Sequence, residues 1–187
     1  NQMAENIEQL VRDQEDAYLQ SLSSLTQALE AKDAYTAGHS ARVSHFAVQL
    51  GRHLGLDEGG LELLRKGALM HDLGKIGVRD QVLNKPGPLE HAEFLEMQNH
   101  PRQTAAIMRP LQRFKGFMEI AAWHHERWDG TGYPDGLRHE EIPLLARIVS
   151  IADTWDAMTG DRIYRKGMPT EKALTILEDE RESGQWD

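Results

Sequence analysis

The sequence predicts an all-α domain led by a long N-terminal helix, on three observations. No stretch of useful length alternates apolar and polar residues as a strand would. Positions 1–31 contain neither proline nor glycine, the residues that most often end a helix. Beyond residue 40, apolar residues recur at steps of three and four in one segment after another.

The elements follow in order. Tyr18, Leu22, Leu25 and Leu29 form a heptad-like seam in the first helix, which Ile7 and Val11 extend weakly because Gln14 and Glu15 interrupt it. Residues 1–32 are read as a signalling or dimerisation helix, against the plainer reading of a helix packed on its own domain. Residues 33–187 form the second unit. Val43, Phe46, Ala47, Leu50 and Leu54 make a stripe that Gly55 stops. Leu61, Leu64, Ala68 and Leu69 begin a helix that runs into "MHDLGKIG". Pro86, Gly87 and Pro88 mark a loop, and helices are expected at 90–99, 101–109 and 117–125. Pro143 opens a helix through Met158, and Thr170 is expected to cap the last one.

Composition narrows the function. Among 187 residues, 40% are hydrophobic, enough for a core. Lys plus Arg number 21 and Asp plus Glu 30, so the net charge of −9 argues against nucleic-acid polymers as partners. There is no cysteine, which removes disulfides, thiolate metal sites and cysteine nucleophiles and fits a reducing cytosol. No run of about 18 apolar residues exists, so no membrane contact is expected from this chain. The expected location is cytoplasmic, or the cytoplasmic portion of a larger signalling protein. The start at Asn1 and the end at "SGQWD" are read as those of a piece truncated before a further C-terminal helix.

Chemistry gathers on histidine and aspartate. "GHS" at 38–40, "HD" at 71–72, "NHP" at 99–101, "HH" at 124–125 and "AD" at 152–153 each lie on or beside a different predicted helix. Helices packed inward can bring such groups to one point. Five imidazoles and two carboxylates exceed one ion's coordination of about four to six, but suit two ions sharing a carboxylate. Adjacent His124 and His125 diverge by about 100° on a helix. At a helix end, where the chain opens into a glycine loop, both rings can turn onto one ion. His45, His53, His91 and His139 are read as ordinary histidines.

The order His…HD…His…HH…Asp, with "HDLGKIG" and "HHERWDGTGYPDG", closely resembles the HD-GYP domain of bacterial signalling proteins. "YTAGHSARV", "LNKPGPL" and "DAMTGDRIYR" add to the resemblance, which covers residues 33–165 most distinctly. It implies an HD-type helical bundle that hydrolyses cyclic di-GMP or a related cyclic dinucleotide. Carried over by position, it implies one metal site of His39, His71, Asp72 and Asp153. The second would consist of Asp72, His100, His124 and His125, with Asp72 bridging. Some members hold a third metal through a glutamate where this chain has Tyr35, so two ions are expected. Nitrogen and oxygen ligands suit Fe, Mn, Zn, Ni or Co alike. The family often has glycine where Thr104 stands.

Two ions about 3.5–4 Å apart can hold a bridging hydroxide that attacks the phosphodiester. Lys75, four residues after His71, is expected on the same helical side, near the phosphate or the leaving oxygen. Arg162 and Arg165 are the candidate phosphate-binding residues, since a guanidinium donates two parallel hydrogen bonds. Gly130 and Gly132 free the loop backbone, and Tyr133 offers a face and a hydroxyl to substrate. Trp123 and Trp155 are expected in the core; Trp128 is open to stacking on guanine. Possible partners are a second copy through the N-terminal helix and a GGDEF-type domain. The alternatives are an HD-type hydrolase of another cyclic dinucleotide or nucleotide, and a non-catalytic cyclic dinucleotide sensor.

Overall fold

The computed structural model describes residues 2–32, 37–109, 115–161 and 166–187. Tyr35, Arg162 and Arg165 lie outside the described residues. Among the described residues every long element is an α-helix and no strand occurs. The helices are α1 (Gln2–Lys32), α2 (His39–His53), α3 (Glu58–Met70), α4 (Asp80–Leu83), α5 (His91–Met97), α6 (His100–Met108), α7 (Lys115–Trp123), α8 (Leu144–Thr159) and α9 (Thr170–Glu182).

The main core joins α2, α3, α7 and α8. Val43 and Ala47, Leu61, Leu64 and Ala68, Ile120, and Ile148 and Val149 interlock there, all buried. A neighbouring layer sets Leu22 of α1 against Met70, Leu73, Met108 and Phe117. Each fully buried leucine or isoleucine contributes about 1.5–3 kcal/mol, so these two layers hold the helix ends in register.

The expected seam of α1 changes halfway. Leu22 and Leu29 are buried, but Leu25 is 48% exposed and Thr26 takes the inward position. The straight helix turns every 3.6 residues, so 22, 26 and 29 share a face that 25 leaves. Met3, Ile7 and Leu10 are exposed. Leu54 is also exposed and Val48 is buried in its place on α2. Thr170 is the first helical residue of α9 rather than its cap, a position held by Pro169 without a side-chain bond. Short α4 was not expected from the sequence; it buries Val82 and Leu83 under Leu89 and Met97.

One local departure shapes the site. The helix expected to run through "MHDLGKIG" stops at Met70, and a 3-10 turn spans Leu73–Gly77. Close packing of α6 leaves no room for a side chain at position 74 of this turn. A Cβ on Gly74 would fall 2.0 Å from the His100 carbonyl oxygen and 2.6 Å from the Thr104 nitrogen. No helix among the described residues is long and apolar enough to cross a membrane.

Candidate metal centre

The seven expected ligands arrive from five elements. His39 opens α2, and His71 and Asp72 follow the end of α3. His100 opens α6, His124 and His125 lie in the turn after α7, and Asp153 sits inside α8. Helix ends suit this task because their backbone can swing a side chain inward without breaking a core contact.

Two groups form. Asp72, His100, His124 and His125 each offer one atom within 4.8 Å of the others, and so do His39, His71 and Asp153. Asp72 lies between them. Its Oδ1 is 3.2 Å from His100 Nε2. Its Oδ2 is 3.5 Å from His71 Nε2 and 4.0 Å from His39 Nε2. His39 Nε2 is in turn 3.1 Å from Asp153 Oδ1. One carboxylate thus turns an oxygen to each group.

Three imidazoles are aimed by the same device. His71, His100 and His124 each donate Nδ1–H to the carbonyl three residues upstream, on Ala68, Met97 and Ala121, at 2.6, 2.8 and 2.9 Å. That bond fixes the tautomer and leaves Nε2 bare. All three Nε2 atoms and Asp72 Oδ1 are buried without a hydrogen-bond partner among the described residues. Buried polar atoms are seldom left so. Four converging lone pairs on nitrogen and oxygen are a donor set that divalent transition ions satisfy. The residues present therefore fit a pair of such ions.

Electrostatics agree in direction. Burial pushes His125 down to about 3, so the ring is neutral. Burial holds His124 low as well. Burial would raise Asp72, but Lys75 and the histidines outweigh it and keep it a carboxylate. His39 is different. Burial lowers it, yet hydrogen bonds to Asp153 and Asp156 push it up to about 9. A cation binding at His39 therefore competes with a proton.

Asp156 was not anticipated. Its Oδ2 accepts from His39 Nδ1 at 2.7 Å, and Arg42 clamps the carboxylate at 2.7 and 3.0 Å. The usable signal is its place three residues after Asp153, on the same face of α8. Lys75 also differs from expectation. In the 3-10 turn it folds back on Asp72, with Nζ 2.6 Å from Oδ2, instead of sharing a helical face with His71.

Thr104 is fully buried, and its hydroxyl lies 3.1 Å from the His71 carbonyl and 3.0 Å from that of His100. The same oxygen accepts Gly74 N–H at 2.7 Å. It thereby ties the backbones of two ligands from the two groups together. Thr104→Val, which keeps the shape and removes the hydroxyl, is expected to cost about 1–3 kcal/mol by stranding buried groups. Chemical denaturation measures it; an unchanged midpoint and slope would contradict the tie.

The glycine loop is held from within. Glu126, 3% exposed, accepts the backbone N–H groups of Asp135, Gly136 and Leu137 at 2.7–3.1 Å. Gly130 takes φ +78°, and a Cβ on Gly132 would meet the Arg127 nitrogen at 2.3 Å. Asp135 anchors the tip, accepting from Trp123 Nε1 at 2.9 Å and Arg102 at 2.9 Å. The Tyr133–Pro134 bond is cis. Tyr133 stacks on His125 with centroids 4.8 Å apart, so the loop's tyrosine borders the second group. Burial pushes its phenol up, which keeps it neutral. Trp155, half-buried, packs edge-on against Phe46, and Trp128 lies under Arg147. His45, His53, His91 and His139 join neither group.

A helical bundle that buries two adjoining His/Asp groups around a shared aspartate defines a class of metal-binding helical proteins. The chain belongs to the HD domain family, whose model matches residues 23–187, and within it to the HD-GYP group. The match begins inside α1, where Leu22 and Thr26 start to pack on the bundle. A 3'3'-cGAMP-specific phosphodiesterase of Vibrio cholerae is 42% identical over 88% of this chain and 36% of its own. A cyclic di-GMP phosphodiesterase response regulator of Xanthomonas campestris is 40% identical over 87% of this chain and 44% of its own. The chain thus spans less than half the length of these relatives. An HDG"Y"P protein of Bdellovibrio bacteriovorus has a solved structure that superposes with a TM-score of 0.67 at 27% identity, covering 91% of this chain and 56% of that one.

Proposed function

We propose that this chain hydrolyses a cyclic dinucleotide phosphodiester, and that cyclic di-GMP is its substrate. The observation that carries the reading is Asp72, which turns one oxygen to each of two buried ligand groups. His39, His71, Asp72 and Asp153 would hold one ion and Asp72, His100, His124 and His125 the other. Such a pair, when bound, lowers the pKa of water and neutralises charge on the phosphoryl oxygens.

The chain's own groups do the rest. Lys75, 2.6 Å from Asp72, would meet the phosphate or the leaving oxygen. In the proposed step a water oxygen bonds to phosphorus, the P–O3′ bond breaks, and the 3′-oxygen takes a proton. Tyr133, standing over His125, would form a wall of the cleft and offer its hydroxyl. Arg162 and Arg165 keep the phosphate-binding role proposed from the sequence. A second reading, hydrolysis of 3'3'-cGAMP, is favoured by the 42% identical relative.

Turnover of a panel of cyclic di-GMP, 3'3'-cGAMP and cyclic di-AMP, followed by chromatography, separates these readings. We expect cyclic di-GMP to be cut fastest and linear pGpG to accumulate. The second cut needs a product with an added terminal phosphate to be held again. Tyr35 stands where a carboxylate would help hold a third ion, and a neutral phenol is a poor ligand. GMP appearing as fast as substrate disappears would contradict the pGpG expectation. Faster cleavage of 3'3'-cGAMP would select the second reading, and no cleavage of any member would remove both.

A further inference from the structure

The beginning of α2 carries His39, yet no side chain of α2 caps it. Its N-cap is Gly38, at φ +69°, with no side-chain bond of its own. The missing acceptor comes from another helix. Glu30, two residues before the end of α1, receives Gly38 N–H on Oε2 at 3.0 Å and Ser40 N–H on Oε1 at 2.7 Å. The two bonds straddle His39. A carboxylate at that helix end is favoured by the exposed N–H groups and by the helix dipole.

The contact continues into the centre. Thr26, Leu29 and Glu30 of α1 enclose a small cavity together with His39, Ser40, Asp72 and Lys75. Leu29 is 6% exposed and Thr26 4%, so this part of α1 is packed, not merely adjacent. Lys32 adds an ion pair with Asp80 at 2.5 Å. Any rotation or slide of α1 must therefore carry Glu30, and with it the backbone on either side of His39. His39 Nε2 has only 3.1 Å to Asp153 Oδ1, a distance that small backbone shifts would alter.

We propose that Glu30 is a positioning residue for His39, through which displacement of α1 changes the cation affinity of the His39–His71–Asp153 group. The inference rests on the two-ion reading of the centre. It makes α1 an input element that reaches one ligand group through the Glu30 hydrogen bonds, whereas its contact with the helices of His100 and His124 is the apolar packing of Leu22 on Met108 and Phe117. Regulation would then run through cation occupancy, and an upstream partner would need no contact with substrate.

The test is anaerobic titration of metal-free protein with Mn²⁺ alone, against a competing chelator, with no activity measured. The wild type is expected to show two classes of site. Glu30→Ala should weaken one class by about 10–100-fold, the range typical when a group that orients a ligand is lost, and leave the other within twofold. Glu30→Gln, which retains an acceptor oxygen for one of the two N–H groups, should recover part of the loss. Lys32→Ala removes the ion pair at the same helix end without touching α2, and should bind as the wild type does. Both classes unchanged in Glu30→Ala would overturn the proposal. So would equal weakening of both classes, or the same loss in Lys32→Ala, because either marks general loosening of α1. Wild-type protein that binds no Mn²⁺ would overturn the two-ion reading itself, and the inference with it.

Discussion

Asp72→Ala is expected to strip both ions and lower turnover by at least about 10³-fold, the scale of losing a principal stabiliser of transition-state charge. Every other ligand serves one group, but Asp72 faces both: Oδ1 to His100 and Oδ2 to His71 and His39. Its removal also leaves the Lys75 ammonium, 2.6 Å from the lost carboxylate oxygen, as a positive charge in the centre. A positive charge there repels a second one. The variant should therefore fail to recover ions even at high metal concentration. Elemental analysis after anaerobic purification measures it. A variant that keeps a full complement of metal would show that Asp72 does not bridge.

Asp156→Asn is the second large effect, expected to weaken cation binding by about 10–100-fold although the residue touches no ion. The amide keeps the volume of a side chain that is 2% exposed, so the fold should hold. It loses the charge that orients His39 Nδ1–H and that Arg42 grips from the other side. Two effects oppose each other here. Asp156 helps push His39 up to about 9, so below that pH a proton competes with the cation. The amide relaxes this competition and offsets part of the loss. The deficit should therefore widen as pH rises toward 9 and the competing proton leaves. Mn²⁺ titrations at two pH values follow it. Tighter cation binding by the variant below pH 9, with a gain that fades as pH rises, would show that proton competition, not orientation, is what Asp156 controls.

The gathering of these side chains was legible in the sequence because each motif falls on or beside a different predicted helix. Five short motifs on five predicted elements can meet only if those helices pack inward, and the core of Val43, Leu64, Ile120 and Ile148 makes them do so. The adjacency of His124 and His125 was informative for the same reason. A pair that would diverge on a helix converges when the helix ends at Trp123, leaving ring centroids 4.1 Å apart. What could not be read depends on contacts between elements. Thr104 looks like any helical threonine until Gly74 lets α6 approach the turn. Glu126 could be a surface residue of "HHERWDG" until the loop folds three N–H groups over it. Lys75 was misplaced because periodicity extended α3 into a segment that is a 3-10 turn, where its side chain folds back on Asp72. Leu25 and Leu54 erred for a simpler reason: apolar spacing allows two adjacent faces, and only the neighbouring helix selects one.

The most direct test of the two-ion centre is elemental analysis of anaerobically purified protein, coupled to cyclic di-GMP turnover before and after chelation. About two transition-metal ions per chain are expected, with loss of turnover on their removal and its return on adding one of Fe, Mn, Zn, Ni or Co. Metal-free protein that turns over cyclic di-GMP at the same rate would contradict the two-ion centre.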